Sequence, residues 1–283
     1  MAKSPRPGGH GPTSLRWPRA APGLAAAGLL LAFPLQAAPL DLEGYRLVDL
    51  THAYNADTVF WPAPPTHFKL EQLHYGDTPG GFFYSAYRFC LPEHGGTHLD
   101  APIHFARDRE TMEQVPLERL VGPVVVIDVS GKAAADRDYR VTPADVLAFE
   151  AQHGRIEAGT RVLVRTDWSR RWPDAAAYLG HATDASKLHF PSYGEDAARL
   201  LVEDRRVALL GIDTASIDYG PAADFPVHRI AAAADVPGLE NVTGLDALPS
   251  RGAILLALPM KIEGGSGGPT RVVALVPRGS AGR

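Results

Sequence analysis

Residues 94–104 read His-Gly-Gly-Thr-His-Leu-Asp-Ala-Pro-Ile-His, which places three imidazoles and a carboxylate within eleven residues in the order H-x3-H-x-D-x3-H. Few features constrain a fold more, because groups that share an ion must converge on one point. Neutral imidazole and carboxylate oxygen suit zinc, manganese or iron. The His-x3-His spacing predicts two rings on one side of a helical turn, with Gly95 and Gly96 permitting a tight bend and a close backbone approach. The segment is therefore expected to form a strand-to-helix bend. A polar loop with merely hydrogen-bonded histidines uses the same residue types, but four ligand-type side chains this close together favour a metal.

A chain of 283 residues, 45% of them hydrophobic, can bury a full core and fits one sizeable domain. A net charge of −4, with basic residues scattered, argues against a nucleic-acid partner. The N-terminus differs in composition from the rest. Lys3, Arg6, Arg16 and Arg19 precede an apolar run over 20–35, and Gln36-Ala37-Ala38 offers small residues for cleavage. This pattern predicts a signal peptide over 1–38, a mature domain over 39–283, and an exported, periplasmic protein. The apolar run is short for a membrane span and contains Pro22 and Pro34, so no stable membrane insertion is expected after leader removal. The single cysteine, Cys90, excludes an internal disulfide; within the apolar run 82–91 it is expected to be a buried small hydrophobe.

Strand-like runs fall at 45–50, 83–91, 121–129, 161–166, 207–212, 253–258 and 271–276. Thr142-Pro143-Ala144-Asp145 has the form of a capping box, and Ser192-Tyr193-Gly194-Glu195 is expected to open a second helix in the same way. The pattern is mixed α/β (α+β), with strands and helices neither strictly alternating nor segregated. Downstream, His228 is followed twelve residues later by Glu240. Alone the pair means little, but a bridging carboxylate such as Asp100 can join two metals, and such a site needs more ligands than one loop provides.

The 94–105 segment, the His228 and Glu240 pair, Gly211-Ile212-Asp213-Thr214-Ala215-Ser216-Ile217-Asp218 and Ala257-Leu258-Pro259-Met260-Lys261-Ile262 together resemble the cyclase superfamily. That family includes bacterial metal-dependent kynurenine formamidases and isatin hydrolases. The resemblance implies a single domain of swivelling β/β/α type, a homo-oligomer (dimer or tetramer), and cleavage of an amide carbon–nitrogen bond by a metal-activated water. It further implies one divalent ion, zinc or manganese, on His94, His98 and Asp100. A second falls on Asp100, His228 and Glu240, and His104 is the proton shuttle. The segments 189–192 and 262–269 look more like the longer members, which include enzymes that open cyclic amides and work with a single manganese. One or two ions per subunit thus stay open, as does the substrate: an aryl formamide like N-formylkynurenine or a cyclic amide like isatin.

The near-neutral intrinsic pKa of histidine suits His104 to act as base and then acid, although it has the chemistry of a further ligand as well. Trp61, in a Pro-rich loop, is a candidate wall for an aryl substrate; Phe60, Phe82 and Phe83 could join it, but core packing is the stronger expectation for most of them. His189 is expected either to line the pocket or to cap its neighbours. Residues 264–268 formally satisfy the G-x-S-x-G nucleophile elbow, yet no histidine follows His228 and no apolar helix follows Ser266. They read instead as a glycine-rich loop bordering the pocket. Cys90 with His94 as base would leave the rest of the cluster unused. An exported metal-binding or metal-delivery protein without hydrolase activity is the alternative, but such proteins carry ligands in open tracts rather than dispersed through a core.

Overall fold

The computed structural model describes residues 41–63 and 67–279, which fall in one compact unit spanning Asp41–Arg283. The leader expected over 1–38 lies outside the described residues. Runs rich in valine, leucine and isoleucine become strands, since branched side chains pack well on a pleated surface. The strands are β1 (Tyr45–Asp49), β2 (Lys69–Asp77), β3 (Phe83–Cys90), β4 (His98–Asp100), β5 (Val121–Asp128), β6 (Arg140–Val141), β7 (Arg161–Arg165), β8 (Ser192–Tyr193), β9 (Leu209–Ile212), β10 (Gly238–Glu240), β11 (Arg251–Pro259) and β12 (Gly267–Pro277). Eight of them form one sheet in the order β1-β12-β11-β5-β7-β9-β10-β4. Because β4 pairs with β12 as well as with β10, the sheet closes into a barrel, with β1 added along the far half of β12.

Strands β5, β7, β9 and β10 run parallel, which demands long crossovers, and these carry the helices Pro143–His153, Glu195–Arg199 and Pro226–Ala233. Alternation along each strand divides the core in two. Val124 and Val126 of β5, Leu163 of β7 and Leu209 of β9 fill the barrel interior with Leu99 and Leu239. Val125, Ile127, Val162, Val164, Leu210 and Ile212 face outward against Val146, Phe149, Leu201 and Val227 on the helices. The mixed α+β single domain expected from the sequence is the one observed.

Locally, the capping box of Thr142 and Asp145 forms as expected and starts the helix Pro143–His153. Ser192 does not cap a helix. It lies in β8, parallel to β6, and its hydroxyl donates to Ser216 O at 2.7 Å, so the next helix starts at Glu195 with Gly194 at the N-cap.

Strands β2 and β3 form a separate hairpin that, among the described residues, pairs only with itself. It carries Leu70, Leu73, Tyr75, Phe82, Phe83, Tyr84, Tyr87 and Phe89, each at least 45% exposed. Cys90 at its end is exposed too, against the expectation of burial, because its apolar neighbours sit on this arm rather than in the core. No helix among the described residues is long and apolar enough to cross a membrane.

Candidate metal centre

His98 and Asp100 share one face of β4 because strand side chains alternate, while Leu99 between them is buried in the barrel interior. The helical turn expected from the His-x3-His spacing is therefore not formed. Pairing of β4 on both edges, to β10 and β12, extends the backbone instead. His94 is brought back by the bend at Gly95 and Gly96, and His104 sits on the 3-10 turn Pro102–His104. Both glycines are required there: a Cβ on Gly95 would stand 2.0 Å from the Phe60 ring, and Gly96 has φ +60 with the Tyr54 ring 2.5 Å from any Cβ.

Register supplies the next member of the cluster. Glu240 on β10 is the direct antiparallel partner of His98, so their side chains share a face. Asp100 is flanked by Gly238 and Gly267 on the two neighbouring strands. A Cβ on Gly267 would lie 2.5 Å from His94 Cε1, so the missing side chain makes room for that ring. His228 occupies the first turn of the helix Pro226–Ala233. Asp218 accepts from the backbone N–H groups of Val227 (2.8 Å) and His228 (3.0 Å) and pairs with His228 Nδ1 at 2.7 Å, which turns Nε2 toward the cluster.

Asp100 lies at the centre. Its Oδ1 is 2.6 Å from His94 Nδ1 and 3.2 Å from His98 Nε2, and its Oδ2 is 3.1 Å from His228 Nε2. Glu240 stands 3.1 Å from His228 Nε2 and 3.5 Å from His98 Nε2, and is itself fixed by Ile217 N–H at 2.8 Å. Two groups offer ligand atoms within 4.8 Å of one another: His98, Asp100 and Glu240, and His94, Asp100 and His104. The carboxylate common to both is Asp100. The His104 ring stacks on His94 with centroids 3.8 Å apart.

Burial alone would push the His98 pKa down, but Asp100 and Glu240 hold it up to about 9. His228 is likewise raised against its burial, by hydrogen bonds to Asp100, Asp218 and Glu240. Asp100, though buried, is held well below the usual carboxylate range by His98 and His94. The cluster thus draws protons onto its imidazoles to balance buried carboxylates, and a divalent cation meets the same charge deficit. His104 differs: burial takes it down to about 4, with Asp100 opposing only in part.

These groups line a cavity of about 310 Å³ together with Val59, Phe60, Trp61, Phe105 and Phe225. This is the small end of the range for ligand pockets. Trp61 is thus brought to the site, and Phe60 with it; Phe82 and Phe83 stay on the hairpin. His189 is not brought in. It is half-exposed outside the cavity lining, with Nδ1 2.8 Å from Asp138, so instead of lining the pocket it pairs with a neighbour at the surface. Sequence reasoning singled out 211–218 without assigning Asp218, whose spacing from His228 encodes no recognisable motif. It also missed Asn241, which donates to Gly96 O at 2.8 Å while accepting from the Tyr178 hydroxyl at 3.0 Å, tying the glycine bend to the barrel.

A closed sheet with a buried imidazole–carboxylate cluster opening on an apolar cavity is the architecture of a metal-dependent hydrolase. The chain belongs to the cyclase family, whose model, described as "Putative cyclase", matches residues 48–219. It is similar to an isatin hydrolase of Roseibium aggregatum, with 36% identity over 247 residues covering 82% of this chain and 92% of that one. A kynurenine formamidase of Salinibacter ruber is 28% identical, covering 80% of this chain and 96% of its own. Among solved structures, isatin hydrolase A from Ralstonia solanacearum superposes with a TM-score of 0.77 at 37% identity, covering 83% of this chain and 93% of that one.

The charge balance gives a first prediction. A metal that uses the His98 nitrogen must displace a proton held up to about 9, so affinity for zinc should fall as pH drops below that value, by about tenfold per unit for each proton displaced. Competition with a chelator at pH 6, 7 and 8 reads the slope. An affinity flat across that range would contradict the charge account.

Proposed function

We propose that the chain is an exported, metal-dependent amidohydrolase that opens a small cyclic amide of the isatin type, with aryl formamides such as N-formylkynurenine as the second substrate class. The observation that carries this reading is that the buried cluster around Asp100 lines, together with Phe60, Trp61, Phe105 and Phe225, a cavity of about 310 Å³. The higher identity to the isatin hydrolase than to the formamidase, 36% against 28%, supports the cyclic amide.

In this reading His94, His98 and Asp100 hold one zinc or manganese ion, and Asp100, His228 and Glu240 are the ligands for a second. The donor set fits either metal. Bound there, a divalent ion supplies Lewis acidity, polarising the amide carbonyl and lowering the pKa of a water to near ~7. His104, kept in its neutral form by burial, accepts the proton of the attacking water on a ring nitrogen and returns it to the departing amide nitrogen. Trp61, Phe60, Phe105 and Phe225 bind the flat face of the substrate and exclude bulk water, which strengthens every electrostatic contact in the cavity. A metal-delivery role fits less well, because His98, Asp100 and Glu240 are each no more than 4% exposed, which hinders handover of an ion.

The hairpin supports a homo-oligomer. A two-stranded arm is marginal alone in water, and its row of exposed aromatic side chains exceeds what a monomer usually leaves uncovered. Light scattering on the purified chain should give a dimer or tetramer; a monomer at micromolar concentration would contradict this part of the reading.

The catalytic assignment is checked on metal-reconstituted protein with isatin and N-formylkynurenine as substrates. His104→Asn should lower kcat by roughly 10²-fold with metal content unchanged, since the lost interaction belongs to proton transfer in the transition state. Loss of metal in that variant would make His104 a ligand, and an unchanged rate would place the shuttle elsewhere. Full metal with no hydrolysis of either substrate by the parent protein would favour the delivery role.

A further inference from the structure

The glycine-rich loop between β11 and β12 does more than border the cavity. Ser266 N–H and Oγ–H both donate to Glu93 Oε2, at 3.1 and 2.6 Å, and Ser266 Oγ lies 2.9 Å from His94 Nε2. The other ring nitrogen, Nδ1, is 2.6 Å from Asp100 Oδ1. A serine hydroxyl has one proton. With that proton given to Glu93, the oxygen accepts from His94, so His94 carries its own proton on Nε2 and presents a bare lone pair on Nδ1 to Asp100.

We propose that Glu93 and Ser266 are positioning residues that fix the tautomer and ring plane of His94 so that Nδ1 is the metal-binding atom. The proposal rests on the reading of His94 as a ligand. Two lone-pair atoms at 2.6 Å repel one another unless a cation lies with them, which is why this tautomer belongs to a metal site.

The loop is built to hold Ser266 in place. Ala101 N–H donates to Ser266 O at 2.8 Å, Met112 N–H donates to Gly265 O at 2.9 Å, and Gly264 N–H donates to Glu113 at 3.0 Å. Glycine at 265 and 267 is demanded by the relay itself. A Cβ on Gly265 would stand 2.8 Å from Glu93 Oε1, and one on Gly267 would stand 2.5 Å from His94 Cε1.

The same atoms also string together as serine, histidine and aspartate, the connectivity of a nucleophilic triad. Two observations set that role aside. The Ser266 proton lies on the Glu93 bond rather than on the imidazole, and Ser266 is outside the cavity lining, where a nucleophile would have to be.

The test is zinc affinity of the full chain, read by competition with a fluorescent chelator. Ser266→Ala should weaken zinc binding by roughly 10–100-fold at an unchanged melting temperature, the usual effect of removing a partner behind a metal ligand. Ser266→Thr, which keeps the hydroxyl, should restore affinity to within about threefold. Parental affinity in Ser266→Ala, or equal losses in both variants, would overturn the proposal. A second readout needs no variant: long-range ¹H–¹⁵N correlation on the zinc-loaded parent should show the His94 proton on Nε2, and a proton on Nδ1 would overturn it. His94→Ala separates the two levels of inference. If it abolishes zinc binding while Ser266→Ala does not weaken it, the relay fails and the ligand assignment stands; if His94→Ala binds zinc as the parent does, the ligand assignment itself fails.

Discussion

Everything at this site depends on a single carboxylate, Asp100, being held 4% exposed at the junction where the barrel closes. Leaving a carboxylate unmatched at such depth costs several kcal/mol, so its surroundings must supply positive charge in fixed places. Two imidazoles do so, His98 from the same strand and His228 from the helix beyond β9, while His94 reaches the same carboxylate from the glycine bend. The backbone of β4 cannot shift to relieve the strain of burial, because it is hydrogen-bonded along both edges to β10 and β12. A closed sheet leaves no free edge there, and that closure converts a three-residue strand into a rigid mount.

Around this mount the partners of the cluster side chains are as ordered as the cluster itself. Asp218 fixes His228 by two contacts and its neighbour Val227 by a third, Ile217 holds Glu240, and Glu93 holds Ser266 beside His94. Each removes one rotational freedom that a loose side chain would have to lose when an ion or substrate arrives. The aromatic lining of the cavity packs on the same groups. By lowering the local dielectric it strengthens the pull of Asp100 on the imidazoles and keeps His104 neutral, so one cavity holds histidines with opposite shifts.

Much of this was legible in the sequence, and the residues that were not show why. The pattern H-x3-H-x-D-x3-H names its own chemistry, and His228 with Glu240 became meaningful only beside it. The local geometry was misread, because His-x3-His fits a helix and nothing in eleven residues reveals two flanking strands that arrive 138 and 167 positions later, at Gly238 and Gly267 counted from Asp100. The long apolar strands β5, β7 and β11 announce themselves by composition, whereas β4 and β10 are three residues each and exist only through pairing. Cys90, Phe82 and Phe83 looked like core because apolar runs usually are; burial is decided by what the rest of the chain covers, and this hairpin is left uncovered. Ser266 was invisible as a partner for a similar reason, since hydrogen-bonding across 172 residues carries no spacing signal, and Asp218 because its ten-residue spacing from His228 matches no motif.

The central claim is that Asp100 anchors a divalent ion shared with His94 and His98. Anomalous diffraction from crystals of the manganese-loaded protein, collected with the metal as the scatterer, tests it most directly. The account predicts a peak in contact with Asp100 Oδ1 and the facing nitrogens of His94 and His98, with any second peak on the Oδ2 side beside His228 and Glu240. A fully loaded protein whose anomalous peaks all lie away from Asp100 would contradict it.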